Sequence, residues 1–103
     1  MIDTYILDGK IPVECHSLEQ WAKSFETTNR HVGDDIFDTI RVSTIFMGLD
    51  HSFGNGLPLL FETMIFGGLR DGYQTRCSTW EEAEEMHKAA VALVHGKSEI
   101  NNS

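Results

Sequence analysis

A chain of 103 residues with 41% hydrophobic and 10% aromatic residues can build one domain with one modest core, and its composition is neither that of a disordered segment nor that of a fibre. Sixteen Asp and Glu against eight Lys and Arg leave a formal net charge of -8, which argues against direct nucleic-acid binding, since a phosphate backbone demands cations, and favours a basic protein partner. No apolar run approaches the length of a membrane span and the start MIDTYILDGK lacks the plan of a secretion signal, so a soluble, cytoplasmic protein is expected.

Residues 4–7 (TYIL) and 11–14 (IPVE) are short strand candidates joined by Asp8-Gly9, and Pro12 assigns the second to an edge because it cannot donate to a ladder. In HSLEQWAKSFETT, Ser17 and Gln20 form a capping box, while Leu18, Trp21, Ala22 and Phe25 recur at the spacing of one apolar stripe on a helix of about ten residues. Between Asn29 and Asp38 the periodicity is weak. Gly33, Asp34, Asp35 and Asp38 punctuate it, and the stretch reads as a loop with room for a short strand.

The organising stretch is Arg41 to Phe66, where two β-branched and aromatic runs, Val42 to Leu49 and Leu59 to Phe66, flank the hairpin dipeptide Asn55-Gly56. A turn centred there opposes residues whose numbers sum to 111, so that Leu49 faces Glu62 and Met47 faces Met64. Alternation collects Ser43, Ile45, Met47, Leu49, His51, Leu60, Glu62, Met64 and Phe66 on one face. The other holds Val42, Thr44, Phe46, Gly48, Asp50, Phe61, Thr63 and Ile65, and both are apolar enough to want covering.

Gly67 to Gly72 is turn material and Tyr73 to Cys77 a last strand. Ser78 as N-cap and Glu81 at the third helical position then start a helix that runs from Thr79 to about Val94 and stops near Gly96. Its inward stripe passes through Trp80, Ala83, His87, Ala90, Val91 and Val94, and Lys97 to Ser103 forms a fraying tail. The expected fold is α+β: an antiparallel sheet of about four to six strands built on the central hairpin, with two helices, the C-terminal one packed on the sheet.

The chemistry concentrates in Asp50, His51, Glu62 and His87, with Glu84 one helical turn before His87. A last helix laid across the hairpin face that carries His51 and Glu62 would bring two imidazoles and one or two carboxylates together, a donor set that suits zinc. Asp50 lies on the opposite face of a regular strand and joins only through a bulge. A metal-free His–carboxylate network satisfies the same groups and stands beside the zinc reading, and a register slip by one residue would turn His51 outward. Cys15 and Cys77 form no metal-binding doublet and are expected as free thiols, and neither a serine elbow nor an activated cysteine is present. Asp34, Asp35, Asp38, Glu81, Glu82 and Glu85 read either as solvated faces or as an acidic surface for a basic partner.

The blocks VSTIFMGLDHSFGNGLPLLFETMIF and YQTRCSTWEEAEEMH resemble a group of small phage and prophage proteins with the pattern GLDHxFG, PLLFETMxF and STWEEAExxH. The match spans about residues 41–87 and includes Asp50, His51, Glu62, Glu82 and His87, with Met47 where the group has Leu. Small acidic phage proteins without an enzymatic motif resemble anti-CRISPR proteins in size and charge. The group itself carries no activity to transfer; by analogy with that class of protein, the expectation is an inhibitor of a host defence nuclease of the Cas9 type, acting in the host cytoplasm, with zinc in a structural role. The alternatives are a small metal-dependent hydrolase using the same residues, with Glu62 or Glu84 as base, and a metal-free phage accessory protein.

Overall fold

Val42, Thr44 and Phe46 alternate on one strand, Phe61, Thr63 and Ile65 on the next, and all six are buried on a single face of the sheet they form. The computed structural model describes residues 3–50, 52 and 56–96. In chain order it contains β1 (Tyr5–Asp8), β2 (Ile11–Glu14), α1 (Leu18–Thr27), β3 (His31–Phe37), β4 (Ile40–Phe46), β5 (Phe61–Phe66), β6 (Gln74–Cys77) and α2 (Trp80–His95). Strands β3-β4-β5-β6 form one antiparallel sheet in sequence order, β1-β2 a separate hairpin, and α2 packs across all four strands of the larger sheet. This is the expected α+β architecture.

Two clusters make the core. Phe46, Leu60, Phe61 and Ala83 gather Tyr5, Leu7 and Trp80 at the start of α2, and Val42, Ile65 and Ala90 gather Phe37, Ile40, Val91 and Val94 near its end. Ala83, His87 and Ala90 are the buried side chains of α2, three points on the stripe expected from spacing alone. The helix begins one residue later than expected. Thr79 is the N-cap and Glu82 the third position, because the Glu82 carboxylate reaches back to the backbone N–H of both Ser78 and Thr79.

The hairpin register differs from the expected one. Arg41 faces Phe66 and Phe46 faces Phe61, pairs that sum to 107 rather than 111. Gly48 leaves the strand at φ 77°, and the Asp50 carboxylate then accepts from the N–H of Ser52 and Leu59, so a longer connection replaces a tight turn. Asn55, on which the expected turn was centred, lies outside the described residues. The difference of four residues is even, so each side chain keeps its expected face.

The covering of both faces does not follow. Helix α2 takes the Val42/Phe61 face, while Ser43, Ile45, Glu62 and Met64 on the other are half-exposed and Phe66 is 44% exposed. The second difference is β3, a strand of seven residues where a loop with room for a short strand was expected. Gly33, Asp34 and Asp35 are poor strand formers, and here tertiary contacts override propensity.

Helix α1 docks on Gly48. The Trp21 indole N–H donates to the Gly48 carbonyl at 3.1 Å, Phe25 tilts onto Trp21 at 4.5 Å, and the Arg30 guanidinium covers the Phe25 ring at 4.1 Å. Leu18, placed by spacing on the inward stripe, is 72% exposed, because α1 meets the body through Trp21 and Phe25 rather than along its length. A Cβ on Gly48 would stand 2.8 Å from the Phe25 ring and would sit at positive φ as well. Gly48→Ala is therefore expected to destabilise the fold by about 2 kcal/mol and to shift tryptophan emission to the red. Gly9→Ala, at positive φ in open space, should carry only the backbone part. Equal losses in thermal melting would show that α1 does not rest on Gly48.

Candidate functional site

The strongest polar constellation among the described residues is a hydrogen-bonded run from the surface into the core. The Asp35 carboxylate lies 2.7 Å from His87 Nε2, His87 Nδ1 lies 2.7 Å from Thr44 Oγ1, and Thr44 Oγ1 lies 2.5 Å from Thr63 Oγ1. Each member follows from strand and helix geometry. Asp35, Gly33, Thr44 and Thr63 share the covered face of three adjacent strands, with Asp35 opposite Val42, Gly33 opposite Thr44 and Thr44 opposite Thr63. His87 descends onto them from the middle of the inward stripe of α2.

Gly33 makes the seat. A Cβ there would lie 2.6 Å from two atoms of the imidazole ring, so the ring occupies the space that a side chain on β3 would fill. With Nε2–H donated to Asp35, Nδ1 accepts from the Thr44 hydroxyl and Thr44 accepts from Thr63, and no polar atom in the run is wasted.

Carboxylate, imidazole and hydroxyl in line have the order of a nucleophilic triad. Thr44 and Thr63 are fully buried and His87 is 8% exposed, so no carbonyl substrate can reach the hydroxyl. The run joins helix to sheet. Only its outer end, the half-exposed Asp35, meets solvent, beside a groove of about 340 Å³ lined also by Lys88, Val91, Ala92 and His95.

The metal set expected from sequence is not assembled by the described residues. Glu62 points from the opposite face to α2, where it accepts from Gln74 and from Arg76 at 3.1 Å. Both nitrogens of His87 are engaged, and Asp50 holds the connection after β4. His51 lies outside the described residues. Among the described residues no three His, Cys, Asp or Glu side chains converge, so His87, Glu62 and Asp50 do not fit a common zinc. The reason is the side of the sheet that α2 covers, which alternation alone leaves open.

The six acidic residues are likewise divided. Asp34 lies on the open face in a two-pronged contact with Arg41 at 2.8 and 2.9 Å, and that hydrogen bond holds its carboxyl below the usual range. Asp35 faces α2, Asp38 occupies the β3–β4 turn at φ 57°, Glu82 caps α2 and Glu85 meets Lys88 at 3.2 Å. Phe37, beside Asp38, packs on His95 at 4.5 Å, so Asp38 lies at the far end of a helix about 24 Å long from Glu81 and Glu82. They are not one patch.

Sequence reasoning missed Gly33, Thr44 and Thr63. The available signal was two threonines on the apolar hairpin face, each between large apolar neighbours. Cys77 is no nucleophile either: burial first and the Glu82 carboxylate second push its thiol up to about 11.

Two expectations follow. Gly33→Ala should cost about 2 kcal/mol in wild type and clearly less in a His87→Ala background, because the clash disappears with the ring; additive losses in a double-mutant melting cycle would refute the seat. Alkylation of Cys77 at pH 8 should be roughly a hundredfold slower than that of an unperturbed thiol, the thiolate being scarce below the raised value; mass mapping showing ordinary rates would contradict that environment.

Compared with protein-family models, with curated proteins and with solved structures, the chain matches none.

Proposed function

We propose that this chain is a binding protein rather than an enzyme, and that its acidic surface addresses a basic groove on a partner. The observation that carries this reading is the closure of the one carboxylate–imidazole–hydroxyl array among the described residues, with Thr44 and Thr63 fully buried. What remains outside is charge. The outer side of α2 exposes Glu81, Glu84 and Glu85 on a chain whose net charge is -8. Such a surface steers encounter with a cationic protein and competes with nucleic acid for it.

The resemblance of residues 41–87 to small phage proteins supports a finer reading, in which the partner is a host defence nuclease of the Cas9 type and occupation of its guide or target channel blocks activity. Glu82 is left out of the contact surface because its carboxylate is committed to the helix cap.

The test reverses Glu81, Glu84 and Glu85 to Lys while leaving Glu82 in place. Affinity for a purified Cas9-type nuclease should fall by on the order of tenfold or more at low salt, and inhibition of cleavage should fall with it, while thermal melting changes little. Undiminished binding and inhibition by a folded triple variant would remove the outer side of α2 from the interface.

A further inference from the structure

We propose that the free edge of β3, together with the C-terminal half of α2, is a docking site for an extended basic segment of a partner protein, taken up as a fifth strand of the sheet. The proposal rests on the reading of the chain as an acidic binding protein and specifies the segment it recognises.

The two edges of the four-stranded sheet are unequal. β6 has four residues and β3 has seven, and β3 pairs on one side only, with β4, among the described residues. A long edge strand is a template for another chain, and natural sheets shorten or charge such edges to prevent it. Here the edge keeps seven residues, with a bulge between His31 and Gly33, and its carboxylates are Asp34 beside Arg41, Asp35 bound to His87, and Asp38 in the turn that follows.

Beside this edge α2 supplies a wall. The groove of about 340 Å³ beside them is lined from α2 by the apolar Val91 and Ala92 and the polar His87, Lys88 and His95, and from the sheet by Asp35. An edge strand flanked by a helix is the arrangement by which extended peptides are bound through added β pairing, with alternate side chains read by the pocket. Side chains on the α2 side of an added strand would enter the groove over Val91 and Ala92. Those on the other side would pass over the open face beside Asp34 and the 70% exposed Ile36. The segment that fits alternates apolar with cationic residues.

Charge decides between a foreign segment and a second copy of this chain. Two β3 strands meeting edge to edge would bring two acidic strands together on chains that each carry a net charge of -8, whereas a lysine or arginine segment meets Asp38 and competes with Arg41 and His87 for the carboxylates of Asp34 and Asp35.

The probe is a capped heptapeptide alternating lysine with valine, titrated into the intact protein and followed by amide NMR and calorimetry, with a glutamate–valine peptide as control. The expected result is saturable binding of the lysine peptide alone, with shifts along β3 and from Lys88 to His95. Ala92→Trp, which fills the groove, should weaken it by at least about tenfold, as should Asp34→Lys, whose exposed surface pair has little to do with folding. No saturable binding, shifts confined to β6, or full affinity in both variants would overturn the proposal. A dimer of the protein alone with its contacts on β3 would also overturn it and make a second copy the occupant. Shifts confined to Glu81, Glu84 and Glu85 would discard the edge and leave the acidic binding reading standing, since that reading is tested on a different surface by charge reversal on α2.

Discussion

The seat of His87 over Gly33 is the contact on which the arrangement of this protein depends. An imidazole in an apolar seam costs free energy unless both nitrogens find partners, and one position along α2 places them between Asp35 and Thr44. Apolar burial at Ala83 and Ala90 is tolerant of small slides, whereas two hydrogen bonds of 2.7 Å to different strands are not. The ring thereby sets the register of helix against sheet. It also holds the edge strand β3 in place, although the sequence of β3 has little strand preference.

That contact separates the molecule into a closed side and an open one. Beneath α2 lie the threonine pair and both core clusters, sealed from substrate. On the far face, Glu62 with Arg76 and Asp34 with Arg41 neutralise one another among half-exposed apolar residues, which is ordinary for an antiparallel sheet with one solvated face. The acidic excess is carried elsewhere, at Glu81 and Glu84 on the outer side of α2 and at Asp38 in the β3–β4 turn.

Much of this was legible. The hydrophobic period of α2, the hydroxyl and glutamate signals at its start, read one residue early as Ser78 and Glu81, and the β-branched runs of β4 and β5 each specify an element through local physics. The face assignment survived a wrong turn centre because side-chain orientation depends only on the parity of the register, and the displacement was even. Glu62 and His87, expected side by side, lie on opposite faces for a different reason. Alternation says which residues share a face and is silent on which face a helix will choose.

The sequence by itself determined the α+β class, the inward stripe of α2 that includes His87, and the acidic excess, because helical period, strand alternation and charge are local or additive properties. Tertiary structure alone decided that Gly33 and Asp35 belong to a strand, that Thr44 and Thr63 complete the partners of His87, and that Glu62 is turned away from it. Those outcomes depend on which face α2 covers and on a ring filling the space above a glycine, contacts between residues far apart in the chain for which no local pattern exists.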